Sequence, residues 1–164
     1  MKSTVLQSNP LRLPWLISSS VLILLSISVA FSHYCSTEWQ QPLAEESRIF
    51  WRTVFYVVTL LTLPVTNLLR HIFLRLNQTM PPLESTNLEC VVRTRYALTV
   101  SVSMFAMLFI GCLGATIFYL GDGFNTLHIL TGIAGLGVFL YRPKFDEYQK
   151  INDALTILTE NEHD

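Results

Sequence analysis

YALTVSVSMFAMLFIGCLGATIFYL, residues 96–120, contains no charged side chain. As a helix these residues extend about 37 Å, against a bilayer hydrocarbon core of about 30 Å. The stretch therefore reads as a helix that crosses a membrane, and the chain on either side reads the same way. WLISSSVLILLSISVAFSHY (15–34) carries no charge before His33. FWRTVFYVVTLLTLPVTNLLRHIF (50–73) has an apolar centre, and FNTLHILTGIAGLGVFLY (124–141) is the shortest of the four blocks. Residues 15–34 have only Lys2 and Arg12 before them and no small-x-small cleavage site after them. They read as a retained span and not as a secretory signal.

The composition agrees. The chain has 164 residues, of which 51% are hydrophobic and 14% charged. A typical soluble domain is about 25% charged, and the mean hydropathy here is +0.42. So sparse a charged surface excludes a soluble enzyme, a nucleic-acid-binding domain and a disordered linker. The net charge of −1 gives no reason to expect a polyanionic partner. Three cysteines, an odd number without a C-x-x-C, argue against a disulfide framework or thiol exchange. The expected fold is an all-α, polytopic integral membrane protein. Residues 1–14 form an N-terminal tail, 15–141 a four-helix transmembrane bundle, and 142–164 a C-terminal tail with a short amphipathic helix.

Basic residues set the expected orientation. Lys2, Arg12, Arg70, Arg75, Arg93, Arg95, Arg142, Lys144 and Lys150 fall on one side of such a bundle, and only Arg48 and Arg52 on the other. Positive charge marks the cytoplasmic side, so both termini are expected there, in a bacterial inner (plasma) membrane. Trp15, Trp39, Trp51, Tyr34, Tyr119 and Tyr141 then lie near the two interfaces. The Asn77 sequon falls on the inner side, where it would not be glycosylated.

In lipid, helices associate through small side chains that let backbones approach. Ser103, Gly111 and Gly114 share a face of the third block, and Gly132 and Gly135 share one of the fourth. Gly111 and Gly132 lie at matching depth from the short 121–123 loop, which predicts the closest crossing there. The serines of the first block are expected to bond between helices. Pro64 predicts a kink, with Asn67 bonding a freed carbonyl. Arg70 is expected to snorkel to the interface, Cys112 to pack beside Gly111, and residues 74–95 to form an irregular loop.

Chemistry-bearing residues are few. His33 and His128 fall at similar outer depth, as two ligands of a haem or metal would, though without a spacing motif. The carboxylates Glu38, Glu45, Glu46 and Asp122 of the outer segments, with His33, His128 and Cys35, form a mixed cluster that could capture a cation. No catalytic triad order, zinc-protease motif, phosphate loop or dinucleotide fingerprint occurs, so no cofactor and no enzymatic activity are expected.

GFNTLHILTG (123–132) resembles a helix-start motif of cytochrome oxidase subunit III, in which a Gly-Phe pair is followed by Leu-His and a later Gly. The resemblance covers ten residues, and the second block lacks that family's lipid-binding acidic residue. It implies at most an accessory subunit of a redox complex, with His128 in a structural role.

In the tail, Phe145, Tyr148, Ile151, Leu155 and Leu158 keep helical spacing, while the opposite face is mostly acidic. Anionic lipid would repel that face, so the stripe is expected to dock on protein, either the bundle itself or a partner. The function expected from these features is that of a non-enzymatic membrane subunit, assembly factor or immunity-type protein. It would contact another membrane protein or a second copy of itself. The alternatives are a small transporter or channel component, and a haem- or quinone-linked electron-transfer subunit.

Overall fold

The computed structural model describes residues 11–80 and 88–161. Among them every regular element is helical: α1 (Arg12–Cys35), α2 (Glu45–Thr79), α3 (Leu88–Tyr119), α4 (Phe124–Leu140) and α5 (Phe145–Asn161), with a 3-10 turn at Ser36–Trp39. The helices overrun the apolar blocks. α2 has 35 residues, about 52 Å, far more than a hydrocarbon core requires. The loop expected over 74–95 is accordingly replaced at both ends by helix. Pro81-Pro82 lies outside the described residues.

α3 is the axis, and α1, α2, α4 and α5 all pack on it. The reason is its sequence. Val92, Tyr96, Val100, Met104, Met107 and Ile110 recur every three or four residues, and each is at most 1% exposed. Of the most apolar window of α3, 44% is buried, against 22% for α1 and 17% for α2. α1 and α2 are therefore peripheral. Among the described residues they lie against α3 and do not pack extensively on each other.

The chain is an all-α, polytopic membrane protein. Three helices, α1, α2 and α3, are long and apolar enough to cross a membrane. A fourth crossing is counted if α4 and α5, which meet at 47°, form one broken span. The break has a local cause: Pro143 disfavours helical backbone at Arg142. Beyond it α5 turns back onto α2 and α3, and Tyr148, Ile151 and Leu155 join the same core as α3. Phe145, expected in that stripe, is instead 55% exposed. The first turn of α5 meets the bundle through Glu147 and Tyr148 instead, which respectively bond Arg70 and join the core. Leu158 is half-buried against the core.

Packing departs from the expected glycine pairing. A Cβ on Gly111 would meet Leu25 of α1, 2.1 Å from its Cδ2, and so Gly111 faces the wrong helix to contact Gly132. A Cβ on Gly132 or Gly135 would meet nothing within 4 Å. The close α3–α4 contacts are Gly114 on Leu130 and Gly137 on Met107. Matching depth from the loop does not fix rotation about the helix axis. Ser103 is buried and bonds its own helix at Thr99 O.

The α1 serines also differ from expectation. Ser18, Ser20, Ser26 and Ser32 donate to the carbonyls of Pro14, Leu16, Leu22 and Ser28, four residues back in the same helix. Such bonds satisfy the hydroxyls without a neighbour. Cys112 is exposed, not packed beside Gly111.

Candidate functional site

Polar side chains gather at the two ends of the bundle. At one end the 36–44 connection meets the α3–α4 turn. Gln41 and Leu43 donate backbone bonds to Tyr119 and Leu120, and Arg48 Nη1 donates to Gly121 O at 3.1 Å. Gly121 takes a φ of +91°, which a side chain would strain. Asp122 is 6% exposed, and its Oδ1 lies 3.5 Å from Arg52 Nη1. Arg48 and Arg52 are thus structural clamps on the turn. Asp122 Oδ1 faces Arg52, its Oδ2 is buried without a hydrogen-bond partner among the described residues, and Glu38 is exposed. Among the described residues no three His, Cys, Asp or Glu side chains converge as a metal site.

The same end brings His33 and His128 together, with Nε2 to Nε2 at 3.2 Å. His33 stacks on Phe124, centroids 4.6 Å apart. The bonding selects the tautomers. His128 Nδ1 lies 2.6 Å from Phe124 O, and only a protonated nitrogen can donate to a carbonyl. In its neutral form His128 therefore presents a bare Nε2, and His33 Nε2–H donates to it. This contact does not fit haem ligation. An iron between two imidazoles holds the nitrogens on opposite sides, about 4 Å apart at metal–imidazole bonds of about 2.0–2.1 Å. The pair is a structural tie between α1 and α4.

At the other end the organising residue is Arg70. Sequence reasoning sent it to the interface, but it is 6% exposed. Its Nη1 donates to Tyr141 O at 2.6 Å, and its Nη2 donates to Glu147 Oε2 at 2.6 Å and to Arg142 O at 3.4 Å. One guanidinium thus caps the C-terminus of α4, favours the negative end of its dipole and pairs with α5. Tyr96 completes the joint: its hydroxyl accepts from Lys144 N at 2.7 Å and donates to Lys144 O at 2.9 Å. The planar, five-donor guanidinium is the group that can reach two carbonyls and a carboxylate at once. The one available signal was the Arg-Pro break at 142–143, which leaves α4 carbonyls in need of a donor.

A kink at Pro64 does not require a break in the helix. α2 is continuous through Pro64. The side-chain bond near it comes from Tyr141 Oη, which donates to Leu63 O at 3.1 Å. Asn67 is exposed and lines a groove of about 590 Å³ between α2 and the α4–α5 elbow. Asn77, in contrast, is buried and ties α2 to α3, donating to Thr99 Oγ1 at 2.9 Å and Arg95 O at 3.2 Å. A buried, bonded amide is no acceptor for a glycan.

No protein-family model matches the chain, and neither a curated protein nor a solved structure shows significant similarity to it. The ten-residue likeness to cytochrome oxidase subunit III at 123–132 thus stands alone.

Proposed function

We propose that this chain is a non-enzymatic multi-pass membrane accessory protein that binds another membrane protein, or a second copy of itself, through α4. The observation that carries this reading is that Gly132 and Gly135 have nothing within 4 Å of a Cβ position. Glycines on one face of an apolar helix allow a neighbouring backbone to approach. The chain's own helices do not use this face. Leu136 and Phe139, on the same side, are 66% and 65% exposed, and so a partner helix would find small residues flanked by large ones.

The tail supports the same reading from the opposite direction. Its apolar stripe is consumed inside the chain, on α2 and α3, which leaves the helix faces as the surface for a partner. In this reading α4 is a fourth span of about 26 Å, short but bounded by the 121–123 turn and the Arg-Pro break. Both termini are cytoplasmic, in keeping with the bias of nine basic residues to two.

The test is Gly132→Leu. It should leave the melting temperature of the isolated chain unchanged, yet remove partners or self-association in native mass spectrometry of gently solubilised membranes. A destabilised chain, or an unchanged set of partners, would refute the reading.

A further inference from the structure

We propose that the groove between α2 and the α4–α5 elbow binds the headgroup of an anionic phospholipid. The groove changes character along its length. Its lining passes along α2 from Leu63 and Pro64 to Asn67 and His71, with Leu74 beyond them, and takes Leu140 and Lys144 from the elbow. From Leu63 to His71 is about 12 Å of helix. The uncharged run of α2 ends at Arg70, and so the polar part lies where hydrocarbon gives way to headgroups. Tyr141, in the wall between, is a residue type that favours this level.

The charges in the groove are not equivalent. Arg70 and Glu147 neutralise one another at 2.6 Å. The side chains of Asn67, His71 and Lys144 have no hydrogen bond or ion pair among the described residues. Lys144 is therefore the uncompensated cation, with an amide and an imidazole beside it as hydrogen-bonding groups. Basic pockets between membrane helices at this level suit anionic headgroups. A volume of about 590 Å³ leaves room for the phosphate against Lys144 and the start of an acyl chain between Leu63 and Leu140. A free phosphate ion would use only the polar part, so the apolar wall favours a lipid as the source.

The experiment is native mass spectrometry and thermal melting of the full chain in mild detergent, titrated with phosphatidylglycerol, phosphatidylcholine or inorganic phosphate. Phosphatidylglycerol should be retained in preference to phosphatidylcholine. The double variant Lys144→Gln/His71→Gln should lose about fivefold in phosphatidylglycerol affinity, and Lys150→Gln, an exposed control on α5, should lose none. All three side chains are exposed, so the variants should keep the wild-type melt without lipid, and Lys144→Arg should retain the binding. Equal retention of the two lipids, or equal affinity in wild type and double variant, would overturn the proposal. Competition by millimolar inorganic phosphate as effective as by the lipid would overturn the lipid assignment.

Discussion

Arg70 of α2 and Glu147 of α5, 77 positions apart in the chain, are joined by a 2.6 Å ion pair at the point where α4 ends. Because the same guanidinium also holds the carbonyls of Tyr141 and Arg142, its removal strands three acceptors together. Arg70→Leu should cost about 2–3 kcal/mol. That is less than the 3–5 kcal/mol of a fully enclosed pair, because Glu147 is partly exposed. Glu147→Gln keeps an acceptor and should cost about 1 kcal/mol. Melting in mild detergent checks both, and equal small effects would show that the joint does not depend on Arg70.

Docking of α5 rests on Ile151 and Leu155, both 0% exposed. Changing both to Ser should cost at least about 4 kcal/mol and free the helix, since 17 residues of this composition are marginal alone in water. Limited trypsinolysis should then cut at Lys144 and Lys150, while the earlier helices stay protected. Phe145→Ser should change the cutting rate little. If it acts like the double variant, the stripe has been assigned to the wrong face.

Three glycines rank in a definite order. Gly121→Ala should be the most damaging, because it combines a left-handed φ, worth about 1–2 kcal/mol, with a Cβ placed 2.7 Å from Pro42 Cα. Gly114→Ala should be milder, its Cβ 3.1 Å from Leu130 Cβ. Gly132→Ala should be neutral for the isolated chain. Melting temperatures in that sequence of severity are expected, and a large loss at Gly132 would show that α4 is rotated from its described position.

Alkaline pH should loosen α5. Burial pushes the Tyr148 phenol above its ordinary value of 10.0, with the Glu89 carboxylate adding to the effect. A raised folded value means that the detached helix releases this proton first. The docked form is favoured fully below pH 10 and progressively less as the pH rises past it. Faster proteolysis of α5 above pH 10 is expected, reduced by Tyr148→Phe, which has no proton to lose. An identical pH profile for the variant would remove Tyr148 from the explanation.

Much of this architecture was legible because lipid imposes a simple rule on sequence. The uncharged run at 96–120 falls in α3 up to the helix's last residue, Tyr119, and the 145–158 periodicity marks α5 with its buried Ile151 and Leu155. Rotation was not legible. Helical spacing puts Gly111 and Gly132 each on a face, but a small-residue face is equally suited to a neighbour within the chain or outside it. Arg70 was misread because a long cationic side chain at a helix end has two physical options, the interface or a cluster of carbonyls. Only the tertiary position of the α4–α5 break decides between them. The His33–His128 pair was anticipated as a matter of depth, but contact at 3.2 Å required the packing of α1 beside α4.

The most direct test of the central claim is photo-crosslinking in native membranes from Leu136, on the open glycine face of α4. Leu61, 59% exposed on α2, serves as the control. A discrete protein adduct from Leu136 that disappears with Gly132→Leu, with lipid adducts alone from Leu61, is the predicted result. Lipid adducts alone from Leu136, or a protein adduct indifferent to Gly132→Leu, would contradict it.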